Sequence, residues 1–213
     1  MEEFPLYIRR QVEEGISILK RGGVIAFPTD TVYGLGVWST FQEAVEKIYQ
    51  VKRRPRNLPL PLLLADVSQI GEVACTVSPV ALLLASRFLP GALTMVLHKS
   101  ERVPDFISAG GTTVAVRVPA HPVPIALTKG LGAPIVGTSA NRSGKRSSLT
   151  AEEVYSQFGN DVDLIIDGGR CPGGKESTIV EVTGEVPVVL REGAISMEEL
   201  RRVYRSIRFK EGD

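Results

Sequence analysis

Gly22-Gly23-Val24-Ile25-Ala26-Phe27-Pro28-Thr29-Asp30-Thr31-Val32-Tyr33-Gly34-Leu35-Gly36 is the stretch from which the fold can be read. Val24 to Phe27 is short, apolar and β-prone, the pattern of a buried strand, and Pro28 stops it. Thr29, Asp30 and Thr31 follow at once, then Tyr33 and two glycines, Gly34 and Gly36, that let a backbone turn tightly. An apolar strand that ends abruptly in polar groups and glycine is how an α/β sheet presents a ligand site at a strand's carboxyl end.

Outward from this strand the periodicity alternates. Ile8, Val12, Ile16 and Leu19 predict a helix over 8–21, which Gly22-Gly23 ends. A second helix is expected over 41–51, stopped by Pro55, and further helices over 77–88 and 121–131. Thr150, with Glu152 and Glu153 in the first turn, caps another helix, and Ser196 with Glu199 forms a capping box for a last one over 196–204. Strands are expected over 60–65, 93–98, 112–118, 134–137, 164–167, 178–182 and 186–190. With no repeat, low-complexity tract or clear linker, the expectation is one α/β domain over 1–213, an open twisted mixed sheet with flanking helices.

Composition narrows the function classes. Of 213 residues, 43% are hydrophobic and 23% charged, enough to bury a full core, and the net charge of +1 means that any polyanion must be met by a local basic patch. Cys75 and Cys171 are too few for a disulfide framework, and His98 and His121 stand too far apart in sequence for a zinc motif. Both histidines read as surface or turn residues and Cys75 as a packing residue. The start, Met1-Glu2-Glu3-Phe4-Pro5, has no apolar signal core, and no apolar run approaches about 18 residues, so a cytoplasmic chain without membrane contact is expected.

Several strands end in polar or basic residues: Thr29 to Thr31, Thr138 to Asn141, Ser177-Thr178 and Arg191. One such end is ordinary; their recurrence points to a shared pocket. Lys47, Lys52, Arg53, Arg54 and Arg56 lie together with no acid between Glu46 and Asp66, which suits either a solvated helix end or a phosphate clamp. Arg117 interrupts the apolar run Val114-Ala115-Val116-Arg117-Val118; it either points out from a half-exposed sheet or points in, where it needs an anion such as a substrate carboxylate. Gly169 to Lys175 nearly spells a P-loop. Glu176 stands where Ser or Thr should hold magnesium and no helix follows, so the P-loop is rejected and the glycines are read as letting the chain pass close to the site. No Ser-His-Asp or Cys-His set can be assembled, which suits chemistry by positioning and charge stabilisation.

Taken together, Pro28-Thr29-Asp30-Thr31-Val32-Tyr33-Gly34-Leu35-Gly36, Lys52-x-Arg54-Pro55, Pro90-Gly91-x-Leu93-Thr94, Val114 to Pro119, Thr138-Ser139-Ala140-Asn141, Glu176-Ser177-Thr178-Ile179 and Leu190-Arg191-x-Gly193 resemble the YrdC family of threonylcarbamoyl-AMP synthases over about residues 10 to 200. The resemblance implies a YrdC-like sheet with a basic concave cavity and a nucleotidyl transfer from L-threonine, bicarbonate or CO2 and ATP to threonylcarbamoyl-AMP and pyrophosphate. Downstream threonylcarbamoyl-transferase proteins would then modify tRNA. It further implies that Thr31, Thr113, Arg117 and Ser177 contact threonine, that Lys52, Arg54, Ser139, Asn141 and Arg191 line the ATP side, and that Lys52 and Arg54 are the catalytic pair. Mg2+ is expected on the ATP phosphates rather than in a protein cage. Leu58 and Leu63 depart from relatives that have Asn and His after Lys-x-Arg. Ending at 213, the chain resembles the short, single-domain form. Other readings are a double-stranded RNA or tRNA-binding module, using Lys52 to Arg56 and the tail cations Arg201, Arg202, Arg205, Arg208 and Lys210, or a paralogue with another substrate.

Overall fold

Helix α1 (Leu6–Lys20) forms where the 8–21 periodicity places it, and its apolar stripe of Ile8, Val12 and Leu19 is buried. The structure, a computed structural model, describes residues 4–210. Strand β1 (Ile25–Phe27) follows α1, but the chain does not then cross over to a helix. It reverses through residues 28–33 into a strand that the sequence reading missed, β2 (Gly34–Trp38), with Phe27 paired to Gly34 and Ile25 to Gly36. Gly34 and Gly36 therefore lie in extended strand rather than in a tight turn. Their small size has a packing reason: a Cβ on Gly36 would sit 2.6 Å from the Phe27 ring and 2.8 Å from Ile135, and one on Gly34 3.0 Å from the same ring. Gly36→Ala is accordingly expected to lower unfolding free energy by about 1–3 kcal/mol, as overpacking does, measured by urea denaturation.

The chain continues through α2 (Gln42–Lys52), β3 (Leu62–Leu63), α3 (Ile70–Val73), α4 (Pro79–Phe88), β4 (Leu93–His98), α5 (Asp105–Ser108), β5 (Thr113–Arg117) and α6 (Pro122–Leu131). It closes with β6 (Ile135–Ser139), α7 (Ala151–Phe158), β7 (Leu164–Ile165), β8 (Thr178–Glu181), β9 (Val188–Arg191), α8 (Met197–Val203) and β10 (Arg208–Phe209). The expected caps are present: Thr150 Oγ1 accepts from Glu153 N, and Ser196 with Glu199 forms the capping box. His121 caps α6 through Nδ1, while Cys75 is exposed rather than packed. None of the described helices is long and apolar enough to cross a membrane.

The ten strands of the described residues join one mixed sheet in the order β10-β9-β8-β4-β5-β3-β6-β2-β1-β7. Side-chain alternation sends Leu93, Met95, Val114, Val116, Val136, Val180 and Val189 to one face, where they form the main core with Ala44, Val45 and Ile48 of α2, Leu84 of α4, Val154 and Phe158 of α7, and Leu200 of α8. On the other face, Ile25, Phe27, Leu63 and Ile135 pack against Val12 and Leu19 of α1, Val123 and Leu127 of α6, and Ile166. Other strand positions on that face, among them Thr94 and Val96 of β4, Ala115 and Arg117 of β5 and Ile179 of β8, lie outside this cluster and line a cavity.

Candidate active site

The cavity measures about 380 Å³ and is walled by the 28–34 turn, the chain after α2, the 137–139 strand end and residues 176–191. In the first wall, Thr29 Oγ1 donates to Val32 O (2.7 Å) and accepts from Thr31 N (3.1 Å). Its one proton being spent, the 3.0 Å contact between Thr29 and Thr31 hydroxyls must be donated by Thr31. Thr31 Oγ1 also accepts from Arg117 Nη1 at 2.9 Å, so one lone pair remains for a donor in the cavity. The glycine-rich connection presses on this turn as expected: a Cβ on Gly173 would fall 2.7 Å from Asp30 O, Gly174 N donates to Thr31 O, and Tyr33 Oη donates to Gly169 O.

Arg117 points inward and is 7% exposed. The anion it needs is supplied by the protein: Nη2 pairs with Asp30 Oδ1 at 2.7 Å, and Nε donates to Gly91 O at 2.9 Å. The need for an anion, for which a substrate carboxylate was one candidate, is thus met by Asp30. Three of its five N–H donors are used among the described residues, leaving two. Beside it Thr94 and Ser177 share a 2.8 Å hydrogen bond between their buried hydroxyls. Arg191, also lining the cavity, donates to Ser177 O at 2.8 Å.

The five-cation segment separates into different roles. Arg53 takes a left-handed conformation (φ 53°) at the end of α2, which sends Lys52 and Arg54 in different directions. Arg54 lines the cavity, steadied by Leu58 O and Pro59 O. Arg53 is exposed, Arg56 pairs with Glu46 at 2.6 Å, and Lys47 donates to Gly22 O. Lys52 does not face the cavity. It is 2% exposed, and its ammonium donates to Ser139 O, to Asn141 O at 2.7 Å and to Asn141 Oδ1 at 3.2 Å, which uses all three protons. The Asn141 amide is held by Ser139 Oγ at 2.6 Å and by donation to Arg142 O and Lys145 O, so it too supports the strand end while Ser139 lines the cavity.

Burial and the neighbouring Arg54 charge bring the Lys52 pKa down to about 7, opposed by Glu176. Burial also lowers the guanidinium pKa values of Arg54, Arg117 and Arg191. Glu176 lines the cavity near Arg191; burial alone would raise its pKa, but the Ser147 hydroxyl, Arg191 and Lys52 hold its carboxyl below the usual range. Cys171 is buried beneath the turn, its thiol pushed up to about 11 by burial, which keeps it protonated and poorly nucleophilic. An elongated anion laid between Arg54 and Arg191, with a small polar group against Thr31, Thr94 and Ser177, is what this arrangement can hold.

Thr31, Arg54, Arg117, Ser139, Ser177 and Arg191 line the one cavity, with Lys52 and Asn141 buttressing it. Thr113 shares a sheet face with Ala115 and Arg117 but lies two residues farther along β5, and it does not line the cavity. Thr94 and Glu176 were missed as site residues. Both stand in motifs that carry the resemblance; Thr94 also carried a signal of its own, a hydroxyl amid the apolar β4 run, while Glu176 was otherwise read as the residue that spoils a P-loop. Leu58 and Leu63 both line the cavity and make part of its wall apolar.

A family model named Sua5, YciO and YrdC and described as telomere recombination matches residues 17–193. The chain is 41% identical to the threonylcarbamoyl-AMP synthase of Pyrococcus abyssi over 94% of its own length and 61% of that protein's, and 39% identical to the threonylcarbamoyl-AMP synthase of Bacillus subtilis, over 95% and 59%. It thus spans about six-tenths of the length of these curated relatives. The crystal structure of P. abyssi Sua5 complexed with L-threonine superposes with a TM-score of 0.90, covering 93% of this chain and 58% of that one. The crystal structure of Escherichia coli YciO superposes with a TM-score of 0.82 at 31% identity, covering 90% of this chain and 93% of that one.

Proposed function

The chain belongs to the Sua5/YciO/YrdC family, and on that premise we propose that it is an L-threonylcarbamoyladenylate synthase, a nucleotidyltransferase in which the threonine amine takes up CO2 with loss of a proton, or bicarbonate with loss of water, and the carbamate reacts with ATP to give threonylcarbamoyl-AMP and pyrophosphate. The observation that carries this reading is one cavity lined both by Arg54 and Arg191 and by the hydroxyl-rich cluster of Arg117, Thr31, Ser177 and Thr94. In this reading the two remaining Arg117 donors take the threonine carboxylate, and the free lone pair of Thr31 takes a donor of the same substrate. Arg54 and Arg191 hold the triphosphate, with Ser139 at its edge, while Lys52 and Asn141 hold the strand end that carries Ser139. The carbamate oxygen attacks the α-phosphorus, the bond to the bridging oxygen breaks, and pyrophosphate leaves with the electron pair against the guanidinium groups. Mg2+ is part of the proposal, carried in on the phosphates. Thr113 has no part in it.

The test is pyrophosphate release with ATP, Mg2+, bicarbonate and threonine; release that does not depend on threonine and bicarbonate would sink the reading. Replacing threonine with serine or other small amino acids tests the paralogue reading, which the apolar Leu58 and Leu63 favour. Arg54→Ala is expected to lower turnover by about 100-fold, as removal of one charge-stabilising donor does, with little change in melting temperature because the side chain is half-buried at the rim. Unchanged turnover would make Arg54 a bystander. The product would pass to downstream threonylcarbamoyl-transferase proteins acting on tRNA. Ser143 N donates to Lys52 O, so exposed Lys145 and Arg146 lie on a loop fastened beside Arg53. RNA binding that falls steeply with salt, without turnover, would favour the non-catalytic module.

A further inference from the structure

Glu176 is the one carboxylate among the described residues lining the cavity, and it lies at the cationic side. Its position is rigid. Ala194 N donates to Glu176 O at 2.8 Å, and Gly193 is packed so closely that a Cβ there would fall 2.2 Å from the same oxygen. Ser147 Oγ donates to Oε1 at 2.5 Å, and no other residue's side chain donates to the carboxylate among the described residues. The carboxylate stays ionised, since Ser147, Arg191 and Lys52 favour the charged form.

A fixed anion at this place conflicts with a polyphosphate between Arg54 and Arg191. Two like unit charges about 4 Å apart repel by about 4 kcal/mol at an effective dielectric constant of about 20. A hard divalent cation turns that repulsion into attraction, and Mg2+ is commonly held by one or two carboxylates together with phosphate oxygens and water. The donor set fits such an ion: one open carboxylate oxygen and no softer His or Cys ligand lining the cavity. Among the described residues no group of three or more His, Cys, Asp and Glu side chains could hold the ion without the nucleotide. We infer that Glu176 is the protein's own ligand for the divalent cation that enters with the triphosphate, its carboxylate offering the oxygen that Ser147 leaves open. The inference rests on the nucleotide reading above; the competing role for Glu176 is that of a counter-ion for Arg191 and Lys52 alone.

Titration calorimetry with ATP, in the absence of threonine so that nothing turns over, separates the two. Wild-type protein is expected to bind ATP about tenfold more tightly with Mg2+ than with EDTA, a difference of about 1.4 kcal/mol. Glu176→Gln keeps the size and an acceptor for Ser147; it is expected to lose that preference, binding metal-free ATP more tightly and Mg·ATP more weakly than wild type. Glu176→Asp, which keeps the charge on a shorter stem, is expected to retain part of it. With Mn2+ in place of Mg2+, the paramagnetic resonance spectrum of the ternary complex is expected to differ between wild type and Glu176→Gln. An undiminished metal preference in Glu176→Gln, with ATP still bound, overturns the ligand assignment alone. Failure of the wild type to bind ATP with or without metal overturns the nucleotide reading and the assignment with it.

Discussion

Replacing Arg117 with methionine is expected to lower the free energy of unfolding by about 3–5 kcal/mol, the cost of removing one partner from a buried ion pair. Asp30 would be left largely buried with only Ala120 N to donate to it, at 3.1 Å, and Gly91 O and Thr31 Oγ1 would each lose a donor. The measurement is the urea midpoint with its slope. Removing both charges, as in Asp30→Asn with Arg117→Met, is expected to cost less than the sum of the single changes, because no buried charge then stands alone. Arg117→Lys separates folding from binding. It keeps the charge beside Asp30 but not the fork, so most stability should remain while threonine affinity falls by about tenfold, the loss of one directional contact. Wild-type threonine affinity in that variant would remove Arg117 from the proposed threonine contacts.

Lys52→Met is the second large effect, and it is not the simple loss of a phosphate contact. Three acceptors at the end of β6, Ser139 O, Asn141 O and Asn141 Oδ1, lose their common donor; Asn141 N still donates to Ser139 O and Ser139 Oγ to Asn141 Oδ1, so among the described residues Asn141 O is the one left unpaired, at about 1–3 kcal/mol. A net loss of that order in stability is expected, together with a loss of turnover larger than that of Arg54→Ala, because Ser139 and the strand end that carries it would lose their support. The variant that leaves the fold untouched would thus be Arg54→Ala and not Lys52→Met, which differential scanning calorimetry checks directly. The same amine gives a pH signature. Its folded pKa of about 7 lies below the value of about 10.4 for a free lysine, so between these values the unfolded chain holds a proton that the folded chain has shed. Its contribution to stability therefore increases as pH rises from about 7 towards 10. Nucleotide affinity should move the other way above about 7, since a neutral amine offers two protons to three acceptors and withdraws a positive charge from the phosphate side. Parallel pH profiles of stability and ATP affinity, rather than opposed ones, would argue against this role.

The elements most legible in the sequence were those whose signals are local. The helix stripe of Ile8, Val12 and Leu19, the Thr150 and Ser196 caps and the β5 alternation each depend on neighbours within a few residues. Strand β2 was illegible because Gly34-Leu35-Gly36 has the composition of a turn, and the reason for its glycines, the Phe27 ring and Ile135 lying over them, comes from other strands. The same distinction runs through the site. That Lys52, Arg54, Ser139, Asn141, Ser177 and Arg191 belong together was readable from motifs; that Lys52 works from behind the Ser139–Asn141 turn required its acceptors, more than 80 residues away, to be seen. Likewise, the question of whether Arg117 points in or out was settled by Asp30, 87 residues earlier, and Thr113 shares its face yet lies too far along the strand.

The strand order has a kinetic consequence. The cavity's walls come from residues 29–34, 54–63, 94–96, 115–117, 137–139 and 176–191, and β4, at its centre, pairs with β5 from nearby sequence on one side and with β8, more than 80 residues later, on the other. Loop closure over such separations is slow, and a chain leaving the ribosome has already exposed Thr94 and Arg117 long before Ser177 and Arg191 exist. A complete cavity thus forms only after β8 and β9 have been synthesised, so a ligand that needs all of its walls cannot template the early sheet.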